Sequence, residues 1–212
     1  MKNNFVFLGD SLTFGYGVTK KDCWVTLFKN NTNLNIINKG VNGSTTTDML
    51  VRFDKDVMTF IPEKTFIMGG TNDLLCNRSI SSIVSNIELM IKDLKSINSS
   101  LIIGIPPDII VEDAYNLFMP SSTYDYCKKS LPNLKESLIS LCNNYDCNYV
   151  DFYSLTKNNM QKNIYLDGIH LNSQGQRLML NEFLKKSASK AHKWKVDFVE
   201  VKRLIKQLGK VN

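Results

Sequence analysis

The sequence predicts an α/β fold, a parallel sheet with helices on both faces. Two observations carry this expectation. First, apolar runs of strand length at residues 5–8, 65–68 and 101–105 are each stopped by glycine or proline, as expected for strands buried on both sides. Second, the segments between them repeat apolar residues every three or four positions, the helical period. Strand and helix signals alternate along the main part of the chain, which argues for a parallel sheet rather than hairpins.

Residues 5–8 (Phe-Val-Phe-Leu) read as the first strand, ended by Gly9-Asp10-Ser11 and a loop through Phe14-Gly15-Tyr16-Gly17. A short helix is expected over 22–28 with Asp22 as its N-cap. A second strand follows over 33–38, and then a loop, Lys39-Gly40-Val41-Asn42-Gly43-Ser44. Met49, Leu50, Phe53 and Val57 predict one helix over 45–58, finished before Pro62. The third strand, 65–68, runs into Gly69-Gly70-Thr71-Asn72-Asp73. Ile80, Ile83, Val84, Ile87, Ile91 and Leu94 predict a long helix over 79–97. The fourth strand stops at Pro106-Pro107, and 108–122 reads as an irregular segment long enough to be functional. A helix over 124–145 carries Pro132 as a kink or break, a fifth strand covers 148–152, and 165–172 is a loop. A final helix starts near Ser173.

The 212 residues suffice for one sizeable core. The net charge of +6 is uneven: residues 185–212 hold nine basic and two acidic residues, so that segment carries +7 and the remainder −1. The basic balance therefore says nothing about the partner of the main domain, and nothing points to nucleic acid. Residues 191–212 form a separate basic stretch after a domain of residues 1–190. Val196, Val199, Val201, Leu204, Ile205 and Leu208 recur there at near-helical spacing. Such a helix suits docking on the domain, pairing with a second subunit, or peripheral contact with an anionic membrane. The five cysteines are an odd number without a Cys-x-x-Cys pair, and no apolar run reaches the length of a membrane span or signal-peptide core. The expectation is reduced thiols and a cytoplasmic protein.

In a parallel sheet the clusters after the strands share one edge, where ligands bind. Those clusters contain Ser11, Gly43, Asn72, Asp167 and His170, a set that fits acyl transfer. Ser11 is the candidate nucleophile, His170 its general base and then acid, and Asp167 the carboxylate that orients the imidazole. The Asn72 side-chain amide, with the backbone N–H groups of Ser11 and Gly43, could receive the oxyanion. Thr13 stands where Gly-x-Ser-x-Gly needs its last glycine, which disfavours an α/β-hydrolase elbow. Asp10 and Asp73 read as braces or caps for the site loops.

Gly9-Asp10-Ser11-Leu12, Gly43, Gly70-Thr71-Asn72-Asp73 and Asp167-Gly168-Ile169-His170, in that order, resemble the four sequence blocks of the SGNH (GDSL) hydrolase superfamily. The resemblance covers about residues 4 to 190. It implies a three-layer α/β/α sandwich with a flavodoxin-like parallel sheet of about five strands, and hydrolysis of carboxylic esters without a metal or cofactor. It looks closest to small bacterial lysophospholipase- and arylesterase-like members, acting on small-molecule acyl esters. A carbohydrate O-acetyl esterase, or an acyltransferase with the same site, is the alternative. An inactive binding module on the same sheet is a third reading, and the intact set of site residues argues against it.

Overall fold

The computed structural model describes residues 4–189. Five strands, β1 (Asn4–Gly9), β2 (Asn35–Gly40), β3 (Lys64–Met68), β4 (Ser100–Ile105) and β5 (Asn148–Asp151), form one sheet in the order β2-β1-β3-β4-β5. Every pairing is parallel. This is the flavodoxin-like order, with its switch point between β1 and β3. The register keeps the carboxyl ends level: Gly9 lies opposite Gly40 on one side and Met68 on the other, and Met68 lies opposite Gly104.

The helices are α1 (Ser11–Phe14), α2 (Trp24–Asn30), α3 (Thr46–Val51), α4 (Phe53–Asp56), α5 (Thr71–Leu75), α6 (Ile80–Ser96), α7 (Val111–Leu117), α8 (Ser122–Asn144), α9 (Phe152–Lys157) and α10 (Ser173–Ser189). The alternation of side chains along β1 divides the core into two layers. Val6 and Leu8 join residues of α3, α6 and α8 in one apolar cluster. Phe5 and Phe7 join residues of α2 and α10 in the other. The second layer is aromatic: the Phe7 ring meets Trp24 at 5.5 Å, Phe66 at 5.3 Å, Phe28 at 5.9 Å and Phe183 at 5.7 Å between centroids.

Several expected elements change. The helix expected over 45–58 breaks at Arg52, which leaves helical dihedrals (φ −95°, ψ 4°) between α3 and α4. Part of the irregular 108–122 segment is α7, and Thr71-Asn72-Asp73 opens α5. Residue 152 opens α9 rather than closing β5. Pro132 does not break α8, which runs through it; its ring costs the bond to the carbonyl four residues back. Asp22 does not cap α2. Cys23 holds that position without a side-chain bond, and Asp22 accepts instead from the Thr19 hydroxyl at 2.6 Å. The basic helix expected over 191–212 lies outside the described residues.

Phe7 is fully buried at the meeting point of five other rings. Phe7→Ala should therefore lower unfolding free energy by about 3–5 kcal/mol. Urea denaturation followed by tryptophan fluorescence would read this, and a loss below about 1 kcal/mol would show that the aromatic layer does not carry the core.

Candidate active site

The strand ends deliver the site. The Asp10 carboxylate caps the single turn α1, accepting the Leu12 N–H at 2.9 Å. Ser11 is the first residue of that turn, so its N–H has no carbonyl within the helix to bond. Gly15, in the left-handed region at φ 88°, closes the turn, and its N–H donates to the Ser11 carbonyl. Ser11 is thus held by backbone on both sides, with 7% of its surface open.

Ser11 Oγ lies 2.9 Å from His170 Nε2, across 159 positions of sequence. His170 Nδ1 lies 2.6 Å from Asp167 Oδ2. The other Asp167 oxygen accepts the backbone N–H groups of Ile169 (2.9 Å) and His170 (2.6 Å), which fixes the carboxylate against the loop it orients. Burial pushes the Asp167 carboxyl up, but the His170 imidazole and these two N–H groups outweigh it, leaving the group below the usual carboxylate range. This loop is fastened in turn. Ile110 N–H donates to the Gly168 carbonyl at 2.8 Å. The Lys128 ammonium then grips the segment before Ile110 through Asp108 Oδ2 (2.8 Å) and the Ile109 carbonyl (2.7 Å).

The remaining candidates lie along the same edge. The Asn72 side-chain amide donates to the Ser44 carbonyl at 3.1 Å, which occupies one of its two N–H groups. Gly43 has φ 74°, and a Cβ added there would meet nothing within 4 Å, so the residue is required by backbone conformation rather than by crowding. Asp73, wholly buried, accepts from Thr46 N (2.8 Å) and Thr46 Oγ1 (2.7 Å), binding the Asn72 turn to the helix that follows Gly43. The structure therefore brings Ser11, Asp167 and His170 into direct contact. Gly43 belongs to the loop before α3 and Asn72 to the first turn of α5, joined through the Ser44 carbonyl. Asp10 and Asp73 cap and brace as expected.

Two residues were not singled out from sequence. Arg52 sits at the break between α3 and α4. Its guanidinium donates to the Gly9 carbonyl (2.9 Å), the Lys39 carbonyl (2.9 Å), Ser44 Oγ (3.3 Å) and Asp56 (2.7 Å). It ties the residue two before Ser11 to the Gly43–Ser44 loop. Tyr16 lies on His170, with ring centroids 4.4 Å apart. An arginine between Met49-Leu50 and Phe53 looks like solvated helix surface, and a tyrosine between two glycines looks like loop. No local signal distinguishes either.

A level rim of glycine-rich turns over a 2-1-3-4-5 parallel sheet, carrying a hydrogen-bonded serine, histidine and aspartate, defines an α/β/α hydrolase of the SGNH kind. The chain belongs to the GDSL-like lipase/acylhydrolase family, whose model matches residues 7–178. It is similar in structure to a member of the lipolytic protein G-D-S-L family from Veillonella parvula DSM 2008. The TM-score is 0.74 at 24% identity, covering 86% of this chain and 96% of that one. Axe2, an acetylxylan esterase from Geobacillus stearothermophilus, is similar at a TM-score of 0.72 and 16% identity, over 88% of this chain and 96% of that one. In sequence, 75 residues are 41% identical to the uncharacterized lipoprotein YqeF of Bacillus subtilis (strain 168), over 32% of this chain. The chain spans 31% of the length of that relative.

Asp10 is the electrostatically costly member of the site. It is 1% exposed, and its second oxygen, Oδ2, has no hydrogen-bond partner among the described residues. Burial pushes its carboxyl up to about 7, against the pull of the Leu12 N–H and His170 and with an added push from Asp73. The folded chain therefore keeps this proton up to about pH 7, whereas the unfolded chain releases it near pH 4. Across that window the unfolded state binds fewer protons, so Asp10 lowers stability as pH rises. Asp10→Asn keeps a cap acceptor and removes the titration. Its melting temperature should fall less than that of the parent between pH 4.5 and 7.5, and parallel curves would refute this linkage.

Proposed function

We propose that the chain is a serine esterase in which Ser11 is the nucleophile, His170 the general base and acid, and Asp167 the carboxylate that orients the imidazole. The Ser11 and Gly43 N–H groups and the free N–H of Asn72 then receive the oxyanion. One observation carries this reading: the unbroken line from Ser11 Oγ to His170 Nε2 (2.9 Å) and from His170 Nδ1 to Asp167 Oδ2 (2.6 Å). With Asp167 holding the Nδ1 proton, the neutral imidazole presents the lone pair of Nε2 to the serine hydroxyl.

Ser11 Oγ attacks the ester carbonyl carbon while its proton passes to Nε2. The carbonyl oxygen takes up the negative charge and the donors at Ser11, Gly43 and Asn72 compensate it. The intermediate collapses, the bond from carbon to the alcohol oxygen breaks, and Nε2–H protonates the departing alcohol. Water then gives a proton to Nε2 as its oxygen attacks the acyl-serine carbon. Collapse returns the proton to Ser11 Oγ and releases the carboxylic acid.

The substrate class we propose is a small acyl or lysophospholipid-like ester, in keeping with the lipase and acylhydrolase family to which the chain belongs. An O-acetylated carbohydrate is the second reading, supported by the likeness to an acetylxylan esterase. Transfer to an alcohol in place of water would use the same acyl-serine. The cytoplasm is our proposal for its location, supported by an odd number of cysteines without a Cys-x-x-Cys pair.

Ser11→Ala and His170→Ala should each abolish turnover of a short-chain chromogenic ester, and Ser11→Ala should also lose labelling by a fluorophosphonate. Unchanged rates in either variant would reject the mechanism. Asn72→Ala should lower kcat by roughly 10²–10³-fold while KM changes little, as loss of an oxyanion donor does. A rise in KM alone would place Asn72 in substrate binding instead.

A further inference from the structure

The chemistry above leaves one aromatic side chain of the site without a task. The Tyr16 ring lies on the His170 imidazole, centroids 4.4 Å apart and planes inclined by 43°, yet 42% of Tyr16 remains open to solvent. Its backbone is fixed, because its N–H donates to the Ser11 carbonyl at 3.0 Å. Beside it, Gly17 has φ 78°, and a Cβ added there would fall 2.2 Å from Leu166 Cδ2. The missing side chain therefore lets Leu166 pack directly on the Gly17 backbone. Leu166 is itself half exposed, and its N–H donates to the His170 carbonyl at 2.8 Å. Tyr16 and Leu166 come from two distant loops and both flank His170, Leu166 packing beside Gly17, the residue after Tyr16.

The location of the Tyr16 ring decides what meets it. The nitrogen that takes the Ser11 proton must hand it to the departing alcohol oxygen, so the leaving group is held against His170. The carbonyl oxygen is held on the other loops, by Gly43 and Asn72. An open aromatic face beside His170 is thus a wall for the alcohol and not for the acyl chain. Resting on the serine-esterase reading, we infer that Tyr16 is a specificity-determining residue that selects alcohols with a flat apolar face. An aryl ring and the C–H face of a sugar ring share that chemistry. A glycerol backbone does not, so the inference separates the two substrate classes proposed above and favours the ring-bearing one.

Stacking of this kind corresponds to roughly a two- to tenfold effect. The test compares three acetates that differ only in the alcohol: phenyl acetate, an O-acetylated pyranose and n-butyl acetate. Tyr16→Ala should lower kcat/KM for at least one ring-bearing ester two- to tenfold more than for butyl acetate, with the difference appearing in KM. Tyr16→Phe, which keeps the ring, should restore the discrimination. The phenyl and pyranose arms show which ring the wall accepts. Equal losses for all three acetates, or a larger loss for butyl acetate than for both ring-bearing esters, would overturn the inference. Fluorophosphonate labelling of Ser11 in the parent chain keeps the two questions apart: absence of labelling overturns the esterase reading itself, whereas labelling without ring selectivity overturns only the role of Tyr16.

Discussion

Because all five strands run parallel, each hands its following loop to the same edge of the sheet. Residues separated by more than a hundred positions meet there without any long excursion of the chain. The register makes the meeting close, since Gly9, Gly40, Met68 and Gly104 sit level at the ends of four adjacent strands. The two apolar layers then hold the sheet against its helices, so the rim inherits the rigidity of the core. Ser11 contributes to the site because β1 is an inner strand, with β2 and β3 beside it.

Above the apolar core lies a polar framework that links the loops to one another. Arg52 joins the end of β1 to the Gly43–Ser44 loop, Asp73 joins the Asn72 turn to α3, and Lys128 with Asp108 braces the segment that grips Gly168. Buried polar groups are tolerated when their partners are present. Asp73 and Asp108 meet this condition through the Thr46 hydroxyl and the Lys128 ammonium. Asp10 meets it only in part, and its carboxyl resolves the conflict by holding its proton toward neutral pH. The residue before Ser11 thus trades stability for a short, well-capped turn.

Much of this was legible in the sequence. Buried parallel strands read as unbroken apolar runs, which made β1, β3 and β4 plain, and four polar clusters after strands marked the site. What stayed hidden depended on partners remote in sequence. Helix α7 spans seven residues with only Val111 and Ala114 buried, too short for a period to emerge. The break at Arg52 follows a guanidinium that reaches back to Gly9, 43 positions away. Asp22 has the composition of a cap but is drawn to Thr19 instead. Tyr16 carries no signal at all until the His170 loop folds over it.

By itself the sequence determined the kinds of group available at the rim and the order in which the chain supplies them. Periodicity and turn chemistry are local, and they act wherever the residues stand. Only the tertiary structure decided the distances that join Ser11 to His170, the proton that Asp10 retains, and the ring that Tyr16 lays beside the imidazole. Hydrogen bonding, desolvation and stacking depend on neighbours within a few ångströms, and the folded sheet alone chooses those neighbours.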